Sequence, residues 1–230
     1  MNLLLIALAP VLAVALFAYE KDHEKEPPKL LIGAFLLGMV GVVPAVIVGV
    51  LLELQGLDVQ SESLGWSFVS IAIGVALVEE LSKFFGVRMY IYHKADFNEP
   101  YDGIVYCVMS ALGFAAVENV MYVMEGGIGV GILRAISAVP AHAIMGVFIG
   151  YFLGIQKHDG KRGYEFIGLA AAITFHTFYD FFAFNMEKYP IFGTFLLALM
   201  VWAFRLAKNA INEHRDRSPF HPDRLPSRGN

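Results

Sequence analysis

Glu79, Glu80, Glu118, His142, His176 and Asp180 are ionisable side chains set in stretches otherwise apolar enough to cross a bilayer. A charge near the bilayer centre costs roughly 2.5–3.5 kcal/mol on insertion scales, so each needs a partner, a water or a function. Acids and imidazoles gathered together have a joint chemistry. One carboxylate takes the proton of a water, and another carboxylate or a histidine protonates a leaving nitrogen. A histidine or Lys83 can stabilise the oxyanion formed between those steps. Alternatively, His142, His176 and a Glu make the two-histidine, one-carboxylate set of a catalytic Zn²⁺. Both arrangements stay open, with the metal-free one favoured. The single cysteine, Cys107, lies in an apolar run. His23-Glu24 is followed by Lys25, Glu26 and Pro27 and so does not make a His-Glu-x-x-His zinc motif.

Helical spacing places the residues on common faces. Ala76, Glu79, Glu80 and Lys83 fall at i, i+3, i+4 and i+7. Ala111, Ala115, Glu118 and Tyr122 form a similar stripe, as do Ala172, His176 and Asp180. Ala138, His142, Gly146, Gly150 and Gly154 recur every four residues, and small residues at that interval let helix backbones approach closely, which puts His142 on a packing seam. Each position also has a structural reading. Glu79 and Lys83 make an i,i+4 ion pair that leaves Glu80 without a local partner. Glu118 can pair with Arg134, His176 with Asp180 one turn away, and His142 can serve as a packing donor. Those readings must account separately for a whole cluster of costly groups, whereas one shared polar pocket accounts for all of them.

The elements that carry these residues are membrane helices. The chain has 230 residues, is 57% hydrophobic and 17% charged, and its mean hydropathy is +0.59. That balance belongs to membrane proteins. The expected fold is all-α, a polytopic membrane helix bundle of about seven transmembrane helices near 3–19, 30–53, 64–87, 103–124, 131–155, 164–186 and 190–207. The first run resembles a signal peptide but lacks a basic leader, so it is read as an uncleaved span. Residues 1–207 are expected to form the helical domain. Residues 208–230, with Pro219, Pro222 and Pro226 among charges, are expected to form a disordered basic cytoplasmic tail.

Alternate linkers are basic: Lys21, Lys25 and Lys29, then Arg88 and Lys94, then Lys157, Lys161 and Arg162, and finally a tail that includes Arg215, Arg217, Arg224 and Arg228. The positive-inside rule then predicts an outside N-terminus, a cytoplasmic C-terminus and a multi-pass cell-membrane protein. It also puts the cluster at mid-depth or toward the outside. Nothing in the sequence calls for a nucleic-acid partner.

Three motifs carry a family resemblance. Glu79-Glu80-x-x-Lys83, Phe114-x-x-x-Glu118-x-x-x-Tyr122 and His176-x-x-Tyr179-Asp180 resemble the signature motifs of the PrsW intramembrane proteases, and the likeness extends from about Glu20 to Arg205. The resemblance implies an endopeptidase that makes the site-1 cut in a single-pass, membrane-anchored anti-sigma factor, near its extracytoplasmic juxtamembrane region. On that basis Glu79 and Glu80 would activate water and move protons. His176 would polarise the carbonyl or bind a metal, Asp180 would orient His176, and His142 and Glu118 would complete the pocket.

Two other functions compete. The prenyl-protein (CAAX) endopeptidases are distant relatives, but their first motif ends in Arg one residue later and their second in His, where this chain has Lys83 and Glu118. A non-catalytic scaffold or transporter could use the cluster as an ion relay, but a transporter should show inverted repeats or broken spans, and no clear pair is present.

Overall fold

In a bilayer, an apolar run must satisfy its own backbone hydrogen bonds, and in this chain it does so by coiling into helices. The computed structural model describes residues 3–224. Helix α1 is Leu3–Glu20 and α2 is Pro28–Glu53, whose proline at the start supplies a preset φ where no N–H partner is needed. The third apolar run is α3, Leu64–Ile71, and α4, Leu77–Gly86, joined through a π-helical turn over Ala72–Ala76 and extended by another over Val87–Ile91. Ser63 caps α3 by accepting the backbone N–H of Trp66. Then come α5, Pro100–Ile136, α6, Ala138–Asp159, α7, Tyr164–Asn185, and α8, Ile191–Arg217. No strand occurs among the described residues.

Among the described residues, six segments are long and apolar enough to cross a membrane. One of them, Pro100–Asp159, contains both α5 and α6. Within α5, Gly127 has φ 72° and ψ −161°, a left-handed value that breaks the helix and that glycine adopts without strain. The expected linker at 125–131 is therefore a helix break at that point.

The first part of α5 packs antiparallel on α6 at very short range. A Cβ on Gly150 would lie 2.2 Å from the Gly103 carbonyl oxygen, and one on Gly146 would lie 2.8 Å from the Val108 Cα. The glycine ladder noted in the sequence is this seam. On its other side α5 meets α2, where a Cβ on Gly113 would lie 1.9 Å from the carbonyl oxygen of Phe35. Helix α5 is thus the central rod, and α1, α2 and α6 pack around it.

Helix α8 runs on to Arg217, because His214 Nδ1 bonds the Pro100 carbonyl at 2.9 Å and Arg215 Nε donates to the Lys21 carbonyl at 2.6 Å. Pro222–Arg224 forms a short 3₁₀ turn. Pro226 and Arg228, included in the expected tail, lie outside the described residues.

Candidate active site

The π-turn over Ala72–Ala76 immediately precedes the acidic pair. Such turns widen the helix, shift the register of the side chains that follow and recur at functional sites. Helix α4 then turns Glu79, Glu80 and Lys83 toward α5, α6 and α7. Lys83 Nζ lies 2.7 Å from Glu80 Oε1, 3.3 Å from Glu79 Oε2 and 3.2 Å from His142 Nδ1. It also rests 4.3 Å from the centroid of the Phe114 ring. The sequence pairs Lys83 with Glu79 and leaves Glu80 alone. The structure reverses that order, making Glu80 the closer partner, because i,i+3 as well as i,i+4 neighbours share a helix face.

His176, from α7, bridges two acids. Its Nδ1 lies 2.8 Å from Glu80 Oε1 and its Nε2 lies 3.2 Å from Asp180 Oδ2. The expected one-turn His176–Asp180 contact is present, and it holds the ring from the side opposite Glu80. His142, from α6, has a definite tautomer by the donor inventory. Lysine can only donate, so Nδ1 accepts, and Nε2–H donates to Glu118 Oε2 at 2.8 Å. Glu118 also takes Arg134 Nη2 at 3.1 Å. Arg134 Nε donates to Asn119 Oδ1 at 2.6 Å, and Asn119 Nδ2 donates to the Ala7 carbonyl of α1 at 3.1 Å.

All six residues singled out from the sequence therefore join one hydrogen-bonded assembly drawn from four chain segments, with the two imidazole centroids 5.9 Å apart. They do not share one exposure. A cavity of about 560 Å³ is bordered by Glu79, Glu118, His142, His176 and Asp180. Glu80 does not border it and is 0% exposed, with Oε2 meeting no donor. Sequence reasoning missed the Asn119–Ala7 anchor, which is a polar side chain on a packing face with no periodic signature. It also missed that Tyr179 of the third motif borders the cavity.

Within this site, two groups of donors among the described residues could hold a metal ion: Glu79, Glu118 and His142, and Glu79, Glu80 and His176. In each, one donor atom per residue lies within 4.8 Å of the others. Mixed imidazole and carboxylate donors suit a borderline divalent ion such as Zn²⁺. The donor types suit such an ion, and Lys83 shows what it would displace: the ammonium donates to His142 Nδ1 and His142 Nε2–H to Glu118, so an ion at the first group would take the place of that proton and turn Lys83 away. The first group borders the cavity, and Glu79 belongs to both.

The sequence matches the family described as "PrsW family intramembrane metalloprotease" over residues 26–207. Relatives named "Protease PrsW" include one from Geobacillus kaustophilus, 32% identical over 213 residues that cover 91% of this chain and 92% of the relative. Another, from Bacillus subtilis, is 30% identical over 205 residues, covering 87% of this chain and 91% of the relative. A third, from Clostridioides difficile, is 29% identical over 218 residues, 90% of each. No solved structure matches.

Proposed function

This chain belongs to the PrsW family of intramembrane metalloproteases and is a peptide hydrolase of the membrane, and from that premise we propose how and on what it acts. Its substrate is a single-pass, membrane-anchored anti-sigma factor, cut near its extracytoplasmic juxtamembrane region as the first of two cleavages. The bundle crosses the membrane seven times, with α5 and α6 counted separately, the N-terminus outside and the C-terminus cytoplasmic, as the basic linkers favour. The observation that carries the catalytic reading is the convergence of Glu79, Glu118, His142, His176 and Asp180 on one cavity wall.

A divalent metal, with Zn²⁺ the ion best suited to Glu79, Glu118 and His142, would supply Lewis-acid polarisation of the scissile carbonyl. The chain's own residues do the rest. Glu80 and Asp180 grip His176 from both sides and aim it at the cavity, where it passes a proton to the leaving nitrogen. Glu80 also fixes Lys83, and through it His142. Arg134 and Asn119 tie Glu118 to the first helix, so the wall is rigid where the substrate must be held. Burial of Glu80 behind the wall favours a positioning role for it, and Glu79 is the member of the pair that meets water.

A second reading keeps the same residues without a metal. It rests on Lys83, whose ammonium already places a positive charge among these donors. Glu79 is then the base, and the histidines or Lys83 carry the oxyanion. Purified protein reconstituted with a single-pass anti-sigma substrate separates the two. In the metal reading, Glu79→Gln lowers both bound metal, measured by element analysis, and cleavage, and a chelator stops the reaction. In the metal-free reading, cleavage survives chelation and Glu79→Gln removes only activity. Full cleavage by both Glu79→Gln and His176→Ala would reject the site itself.

A further inference from the structure

A second group of acids, unused by the proposed reaction, lies at the far end of α5. Asp22 and Glu26 belong to the linker between α1 and α2, Glu99 precedes α5, and Asp102 sits in its first turn. Oxygens of Asp22, Glu26 and Asp102 lie within 4.8 Å of one another. The residues are 5%, 2% and 0% exposed, and Glu99 is 0% exposed. Asp102 and Glu118 are separated by about 24 Å along α5, at 1.5 Å per residue, so the two groups are distinct.

Their hydrogen bonds do not balance. Asp102 Oδ2 accepts the backbone N–H groups of Asn98 at 2.6 Å and Glu99 at 2.7 Å. Glu26 accepts the Tyr106 hydroxyl. Asp102 Oδ1 and both oxygens of Asp22 are buried and meet no donor. The nearby cations are committed elsewhere. Lys25 Nζ donates to the carbonyls of Tyr19, Glu20 and Asp22. Lys157 Nζ donates to those of Tyr92 and Lys94, and Arg215 Nε to that of Lys21. Buried carboxylates are ordinarily paired or bound to a metal, and among the described residues no lysine or arginine forms an ion pair within 4.0 Å of this group.

We infer that Asp22, Glu26 and Asp102, flanked by Glu99, form a second metal site that takes a hard divalent cation, Ca²⁺ or Mg²⁺. The donor set is all oxygen and contains no imidazole, which suits those ions rather than Zn²⁺. Oxygens on one Ca²⁺ ion lie at most about 4.6–5.2 Å apart, from bond lengths of 2.3–2.6 Å, so oxygens within 4.8 Å of one another can share one ion. A cation there cross-links the first linker to the start of α5. The end of α8 is already clasped to the same place through His214 and Arg215. The site therefore ties three distant parts of the chain together at the end of the bundle away from the catalytic cavity.

Terbium luminescence on the purified full-length protein in detergent tests this directly, because Tyr106 bonds Glu26 and can sensitise an ion held beside it. Chelator-treated protein should give saturable tyrosine-excited Tb³⁺ emission that Ca²⁺ or Mg²⁺ displaces, and the better competitor identifies the ion. Asp22→Asn or Asp102→Asn should weaken Tb³⁺ binding by at least about ten-fold, whereas Glu79→Gln should leave it intact. Emission absent from the wild type, or unchanged in both Asp variants, would overturn the site. Should those variants not fold, the melting of the wild type decides. A rise in Tm on adding Ca²⁺ or Mg²⁺ after chelation supports the site. A Tm that answers to acid but not to either ion means the acids share protons, and the site is rejected.

Discussion

Asp102 and Glu118 lie sixteen residues apart on one helix, and each belongs to a cluster of acids, fully buried around Asp102 and partly buried around Glu118. Around Glu118 the charges are interleaved: Lys83 serves Glu79 and Glu80, Arg134 serves Glu118, and His176 lies between Glu80 and Asp180. Around Asp102 the acids face one another, and the neighbouring lysines and arginine are spent on backbone carbonyls. The Glu118 cluster (the upper one, with the Asp102 cluster the lower) thus carries its own counter-charges, and its geometry is available for chemistry in the resting protein. The lower one is incomplete, so its order depends on something supplied from solution. Acids crowd both sites, but the Glu118 cluster adds imidazoles and counter-charges, whereas the Asp102 cluster draws on carboxylates alone, and that difference separates a catalytic wall from a ligand site.

The largest effect should come from removing the acids of the upper cluster. Glu79→Gln should reduce cleavage of a reconstituted substrate by about 10²–10⁴-fold, the range for loss of a positioned acid or base. The fully buried Glu80 sharpens the comparison. As a positioning residue it should lose activity when replaced by Gln but recover part of it as Asp, with a changed pH profile. Equal and complete loss for Gln and Asp would instead make it a reacting group.

Next in size is Lys83→Met, which would turn the upper cluster into a copy of the lower one. Removing one member of a buried ion pair leaves uncompensated charge and costs about 3–5 kcal/mol. Thermal unfolding in detergent should show a large drop in Tm. An unchanged Tm would mean that the ammonium is not the counter-ion on which these carboxylates depend.

Smaller again is Gly150→Ala. The added methyl would lie 2.2 Å from the Gly103 carbonyl oxygen, so α5 and α6 must separate. Overpacking of this kind costs about 1–3 kcal/mol, and it should lower cleavage as His142 shifts away from Glu118.

These two clusters were not equally legible in the sequence. The upper one could be read because each acid or imidazole interrupts an apolar run, where its cost makes it conspicuous, and because four-residue spacing puts Ala138, His142 and Gly146 on one face. The pairing inside it could not, since spacing alone does not say whether Lys83 prefers Glu79 or Glu80. Asp22, Glu26 and Glu99 are inconspicuous in the sequence because they lie in charged linkers, where the ordinary expectation is solvent. They are buried through long-range packing of the first linker against the start of α5 and the end of α8, which no local pattern encodes. The same packing explains why the helix runs past 207 to Arg217.

The finest test of the contrast is a pH titration of stability in chelator-treated protein. Asp22 has an ordinary value of 3.8 and is raised to about 8 in the fold. As pH rises from about 4 to about 8, the unfolded chain ionises this group while the folded chain keeps it protonated. The unfolded state is thereby favoured, and the stability associated with Asp22 declines across that window. Asp22→Asn removes the titration, so the Tm of the wild type minus that of the variant should fall with increasing pH. Glu26 and Glu99, whose carboxyls are also raised by burial, reinforce the trend in both proteins. Saturating Ca²⁺ or Mg²⁺ should flatten the difference or reverse it, because a bound cation favours the ionised carboxylate. A difference that ignores both pH and cation would mean that Asp22 is already neutralised within the fold, and the two ends of α5 would then be alike in charge balance.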